Sequence, residues 1–124
     1  MGSGRSSITF RNSYGKKLWV AYMRLDWDCN NDCGEPWDVL GWIALDPGQT
    51  QSRSNPTSNR WFYYYAEASD GAIWAGPYVA EVSVEVFEKC TCIGVAVSDG
   101  TSPFYDVGFR ELDSRTYSGV NFVP

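Results

Sequence analysis

KLWVAYMRLD, residues 17 to 26, alternates with a period of two, and both of its faces are apolar. Leu18, Val20 and Tyr22 point one way; Trp19, Ala21 and Met23 point the other. Successive side chains of a strand leave opposite sides of the sheet, so a strand with one wet face alternates apolar with polar. Apolar residues on both sides predict a central strand, covered on both faces. SITFRN (7–12) precedes it across SYGK and predicts a hairpin whose turn is supplied by Gly15.

The same reading extends along the chain. VLGWIAL (39–45) is a third strand, closed by DPGQ, where Pro47 and Gly48 suit a type II turn. TQSRS (50–54) reads as a short polar edge strand. RWFYYYAEA (60–68) is a strand aromatic on both faces, SDGA a hairpin turn and IWAG its return. AEVSVEVFE (80–88) sets Val82, Val84 and Val86 against Glu81, Ser83 and Glu85. IGVAVS (93–98), YDVGFRE (105–111) and TYSGVNF (116–122) complete the set. No segment has the periodicity of an amphipathic helix of three turns. Eight to ten short strands with regular turn signals predict an all-β, single-domain antiparallel β-sandwich, with a small β-barrel as the alternative. Trp19, Trp42, Phe62, Tyr64 and Val84 are the expected interior.

Composition narrows the function. A chain of 124 residues, 44% hydrophobic and 16% aromatic, is one domain with a thin but real core. Residues 1 to 6 open with MGSG and read as a cloning remnant and a disordered N-terminus, leaving 7–124 as the domain. No secretory signal opens the chain, and a natural leader could have been removed. A net charge of −5 excludes a nucleic-acid partner, which needs a basic face. The acidic charge and the lack of Lys/Arg clusters argue against a membrane partner, and no 18-residue apolar run could span one. Histidine is absent, which rules out a Ser/His/Asp or Cys/His triad.

ITFRNSYGKKLWVAY, GWIALDPGQT, YYYAEASDGAIWAG and YDVGFRELDSRTYSGVNF together resemble the bacterial domain-of-unknown-function family numbered ten thirty-six. The likeness runs from Ile8 to Phe122 and is most specific in the GW…L-x-PG and YYYA…W-x-G blocks. The chain departs from the family pattern at Gln49–Thr50, where a cysteine often follows PG, and in the insertion DWDCNNDCGEPWD (26–38). The resemblance implies a fold and brings no catalytic mechanism.

That insertion carries the chemistry. Cys29 and Cys33 lie in it, and Cys90 and Cys92 follow the valine strand. An even cysteine count in a small chain points to disulfides and to a secreted or periplasmic protein. The rivals are a zinc site, which the C-x3-C half fits better than C-T-C, and reduced thiols used as core. Among pairings, the crossed ones are favoured, each joining the insertion to Cys90 or Cys92. A 29–33 bridge closes too short a loop to gain much, whereas a bridge over about 60 residues contributes on the order of 4 kcal/mol.

Asp26, Asp28, Asn30 and Asp32 recur at every second residue, as the oxygen ligands of a calcium loop do. Asn31 then replaces the loop's glycine and Trp37 its bidentate glutamate, so a solvated turn in which Asp and Asn bond their own backbone competes with calcium. No other cofactor is expected. Trp27 and Trp37 stand among these polar residues, and with Asp28, Asn30 and Asp32 they compose an expected ligand site: rings to cover a sugar, amides and carboxylates to take its hydroxyls. The alternative is that the two rings form a lid over the sandwich end. The resulting expectation is a non-catalytic, lectin-like carbohydrate-binding module. Its rivals are a protein-interaction or structural domain and, last, a carboxylate-dependent glycosidase, for which the acids are too scattered.

Overall fold

A computed structural model describes residues 6–27, 29, 37–91 and 104–124. Among the described residues ten strands follow one another: β1 (Ser6–Asn12), β2 (Leu18–Leu25), β3 (Trp37–Leu45), β4 (Thr50–Asn55), β5 (Trp61–Ala68), β6 (Ile73–Trp74), β7 (Tyr78–Ser83), β8 (Phe87–Thr91), β9 (Phe104–Asp113) and β10 (Gly119–Phe122). The fold is all-β, and no helix occurs among the described residues. The predicted strand at 93–98 lies outside them.

A three-stranded sheet, in the order β10-β1-β4, packs on a seven-stranded one whose path is β7-β9-β5-β2-β3-β8, with β6 beside β5. Every pairing is antiparallel except that of β1 with β10, which run parallel. Gly119 of β10 meets Thr9 of β1 so closely that any Cβ there would strike the Thr9 carbonyl, and only glycine fits. The predicted β1–β2 hairpin is not formed. β1 pairs with β4 and β10, β2 with β3 and β5, and Gly15, at φ +94°, turns the chain from one sheet to the other. The apolar residues explain why: Ile8 and Phe10 of β1 face Leu18, Val20 and Tyr22 of β2 across one core, which a flat hairpin would have placed side by side.

β2 is central and buried on both faces, as its two apolar sides require. One face joins Ile8, Phe10, Phe62 and Phe122 in the core between the sheets. The other joins Trp37, Val39, Tyr63, Tyr65, Ala80, Val82 and Phe109 in a second core. That second core exists because the larger sheet curls nearly into a barrel. Its edge strands, β7 and β8, come together, and Lys89 of β8 pairs with buried Glu81 of β7 across the seam. Trp42 adds a hydrogen bond there, its Nε1 donating to the Ser83 carbonyl at 2.7 Å. A β-bulge makes this possible. Val20 pairs with Ile43 and Ala21 with Gly41, so Trp42 is the extra residue on β3.

Two further expectations are corrected. AEVSVEVFE is not one strand: the chain turns at residues 84–86 between β7 and β8. Val84 therefore stands 66% exposed at a corner instead of inside, and Val86 is 84% exposed. Phe62 is fully buried, whereas Trp19, Trp42 and Tyr64 are half-buried.

Candidate functional site

Strand alternation brings Trp19, Tyr65 and Glu67 to one mouth of the curled sheet. Trp19 and Glu67 are directly opposed on β2 and β5, and Tyr65 is two residues earlier on the same face as Glu67. Tyr105 of β9 reaches the same point from the other side. Both phenols donate to Glu67 Oε2 at 3.1 Å. Burial raises the Tyr65 phenol well above its ordinary value and pushes that of Tyr105 up to about 12, with the Glu67 carboxylate adding to both. The two phenols therefore stay protonated at physiological pH and remain donors. No described residue donates to Oε1.

The bulge aims Trp42 at this mouth. Its ring lies edge-on to Tyr65 and Phe87, with centroids 6.1 and 6.2 Å away, and its indole nitrogen is fixed on Ser83. Trp19 differs, because none of the described rings packs against it. The Lys17 ammonium sits 5.6 Å from its centroid. Trp19, Trp42, Glu67, Val84 and Tyr105 together line a cavity of about 290 Å³. The arrangement can stack a flat or apolar ligand face on an indole while one fixed carboxylate oxygen accepts its hydrogen bonds. A larger groove beside β3 and β8, about 480 Å³, also touches Trp42, but its floor of Tyr22, Leu40 and Ile43 is committed to the sandwich core.

Of the residues expected to form the ligand site, the two described ones, Trp27 and Trp37, lie away from this mouth. Trp37 is a core residue of β3, 6% exposed, with its ring edge-on to Tyr63 at 5.3 Å. The lid alternative is the closer description of this ring, and Trp37 offers no platform. Trp27 is 72% exposed at the far mouth. Of the expected calcium ligands, Asp26 lies 4.0 Å from Arg24. Asp28, Asn30 and Asp32 lie outside the described residues, as do Cys33 and Cys92.

Cys29 is bonded to Cys90 with Cα atoms 5.6 Å apart, one of the crossed pairings. Beside this bond, Asp26, Asp38 and Glu88 share a second cavity of about 290 Å³ with Lys89 and the two cysteines. Asp38 is 3% exposed, and the Arg24 guanidinium lies 3.6 Å from its Oδ2. Burial, then the adjacent Glu88 carboxyl, pushes Asp38 up to about 8.

The aromatic cup was missed in the sequence because its members are distant in the chain, and Trp19 and Trp42 read simply as core. The one local signal was the Tyr65-x-Glu67 alternation, which puts a phenol and a carboxylate on one face of a strand. No family model matches the chain, and neither a curated protein nor a solved structure does.

Proposed function

We propose that this domain is a non-catalytic binding module that takes a saccharide in the Trp19–Trp42–Glu67 cup. The observation that carries the reading is an indole with no described ring against it, placed directly across the strand pair from a carboxylate that keeps one oxygen free of described donors. Glu67 is held by the two phenols before any ligand arrives, so fixing this acceptor costs binding little ordering entropy. Among described residues Glu67 is the sole carboxylate lining the cup, whereas glycoside hydrolysis takes two acids, which favours binding over catalysis. The Cys29–Cys90 bond is compatible with an extracellular or periplasmic protein, and secretion belongs to this proposal.

One stacked ring and a few hydrogen bonds give millimolar to micromolar affinity, roughly 4 to 8 kcal/mol. Titration of a panel of simple saccharides followed by protein NMR tests it. Shifts should cluster at Trp19, Trp42 and Glu67 and vanish in Trp19→Ala and Glu67→Gln, with the melting temperature nearly unchanged. A panel that produces no shift at the cup overturns the saccharide reading. The exposed Val84 and Val86 beside the cup would then favour a partner protein instead.

A further inference from the structure

The disulfide sits in a setting that a purely structural bridge does not need. Asp38 of β3 is the cross-strand partner of Cys90 on β8, and its carboxyl oxygen, Cys29 Sγ and Cys90 Sγ all lie within 4.8 Å of one another. A tetrahedral zinc shell places its donors about 3.8 Å apart, so the two bonded sulfurs have to separate on reduction before they can share a metal. Asp38 is almost wholly buried, and its Oδ2 accepts no hydrogen bond from a described donor. Glu88 and Asp26 add negative charge to the same cavity, where the Arg24 guanidinium and the Lys89 ammonium are the cations.

We propose that Cys29, Cys90 and Asp38 form a latent zinc site, closed by the disulfide and opened by its reduction. Cys90 is exposed, so a reductant can reach the bond. A dithiol supplies two electrons and two protons: the S–S bond breaks, two protein thiols form, and the dithiol leaves as a cyclic disulfide. Zinc then displaces both thiol protons and binds the sulfurs as thiolates, with Asp38 as third ligand and water as fourth. Two thiolates and one carboxylate leave a zinc complex with one negative charge, which Arg24 balances. Soft sulfur donors select zinc over calcium or magnesium.

The test uses the full chain in oxidised form and after reduction by a phosphine, titrated with zinc against a chromophoric chelator while tryptophan fluorescence follows the fold. The reduced chain should bind one equivalent and keep or regain its native spectrum; the oxidised chain should bind none at this site. Asp38→Asn should weaken zinc by at least about tenfold, the least that losing even a ligand's supporting partner costs. Cys90→Ser should abolish binding. Cys33→Ser/Cys92→Ser should leave it in place, which separates this site from the other two thiols. Equal binding by oxidised protein overturns the proposal, as does no uptake by reduced protein or full affinity in Asp38→Asn. If the double serine variant does not fold, the Asp38→Asn and Cys90→Ser results in the four-cysteine chain decide alone.

Discussion

At one mouth of the curled sheet the phenols of Tyr65 and Tyr105 converge on Glu67; at the other, those of Tyr63 and Tyr78 converge on Glu111. The donors and acceptors are the same, and the rings around them are not. At the Glu111 mouth Trp37 lies edge-on to Tyr63, and Tyr63 lies 5.0 Å from Tyr78, so the space is filled by the protein itself. At the Glu67 mouth Trp19 touches no described ring, and about 290 Å³ stays open. One polar motif thus serves as a plug where an indole is packed into it and as a cup where an indole stands apart. A tryptophan's role is decided by what its faces touch, not by its neighbours in the chain.

That contrast can be broken most easily at the closed mouth. Trp37→Ala deletes a core ring and should cost about 3–5 kcal/mol, read from denaturant unfolding. A loss below about 1 kcal/mol would mean that the mouth is not closed by this ring. Next, the Cys29→Ser/Cys90→Ser pair removes a link between residues 61 apart and should cost about 4 kcal/mol in metal-free buffer; unchanged stability would show that the bond constrains little.

Asp38 gives a pH signature at the same mouth. Its folded value, about 8, lies above that of an unfolded carboxyl, so the folded chain holds a proton that the unfolded chain has released. The stability this brings is complete below about pH 4 and is lost as pH rises through the folded value. Melting temperature should therefore fall between pH 4 and pH 8 more steeply in the native protein than in Asp38→Asn. Arg24, Asp26 and Glu88, which face this carboxyl, remain in both proteins. Parallel slopes would remove Asp38 from the account.

The open mouth should respond weakly. Trp42→Phe keeps an aromatic ring, though a smaller one, and loses the Nε1 bond to Ser83, which predicts about 1 kcal/mol or a little more and a looser seam, seen as faster amide exchange at Ser83 and its neighbours. Trp19→Ala should be smallest of all, under about 1 kcal/mol, while abolishing saccharide binding. A large destabilisation would instead make Trp19 a second plug and erase the difference between the mouths.

How far the sequence foretold this varies with the kind of feature. The two apolar sides of residues 18 to 23 marked a central strand because alternation is local and its meaning is fixed. The polar TQSRS segment likewise read correctly as an edge. The turn at 84–86 was hidden because Val84 and Val86 continue a period of two through the corner, with no glycine, proline or asparagine to mark it. Gly15 announced a turn but could not say whether the next strand returned to the same sheet or crossed to another. Trp37 looked like a loop residue because acids and Pro36 precede it, yet it opens β3 and faces the interior. The Glu67 cup depends on cross-strand register and on a bulge, and neither is written in any single stretch of chain.

The parallel pairing of β1 with β10 governs the order in which the molecule can be assembled. Of the described strands β1 is the first to emerge from a ribosome, and its partner β10 is the last. The pairings of β2 with β3 and of β5 with β6 join near neighbours and can form while synthesis proceeds. Ile8 and Phe10, by contrast, supply one wall of the sandwich core but gain Phe122 only once β10 has been made. Contacts between such remote segments bear the full loop-closure entropy and slow the final step. The small sheet is therefore the late-folding half of the protein, and until it closes, the outer faces of β2, β3 and β5 are its exposed apolar surface.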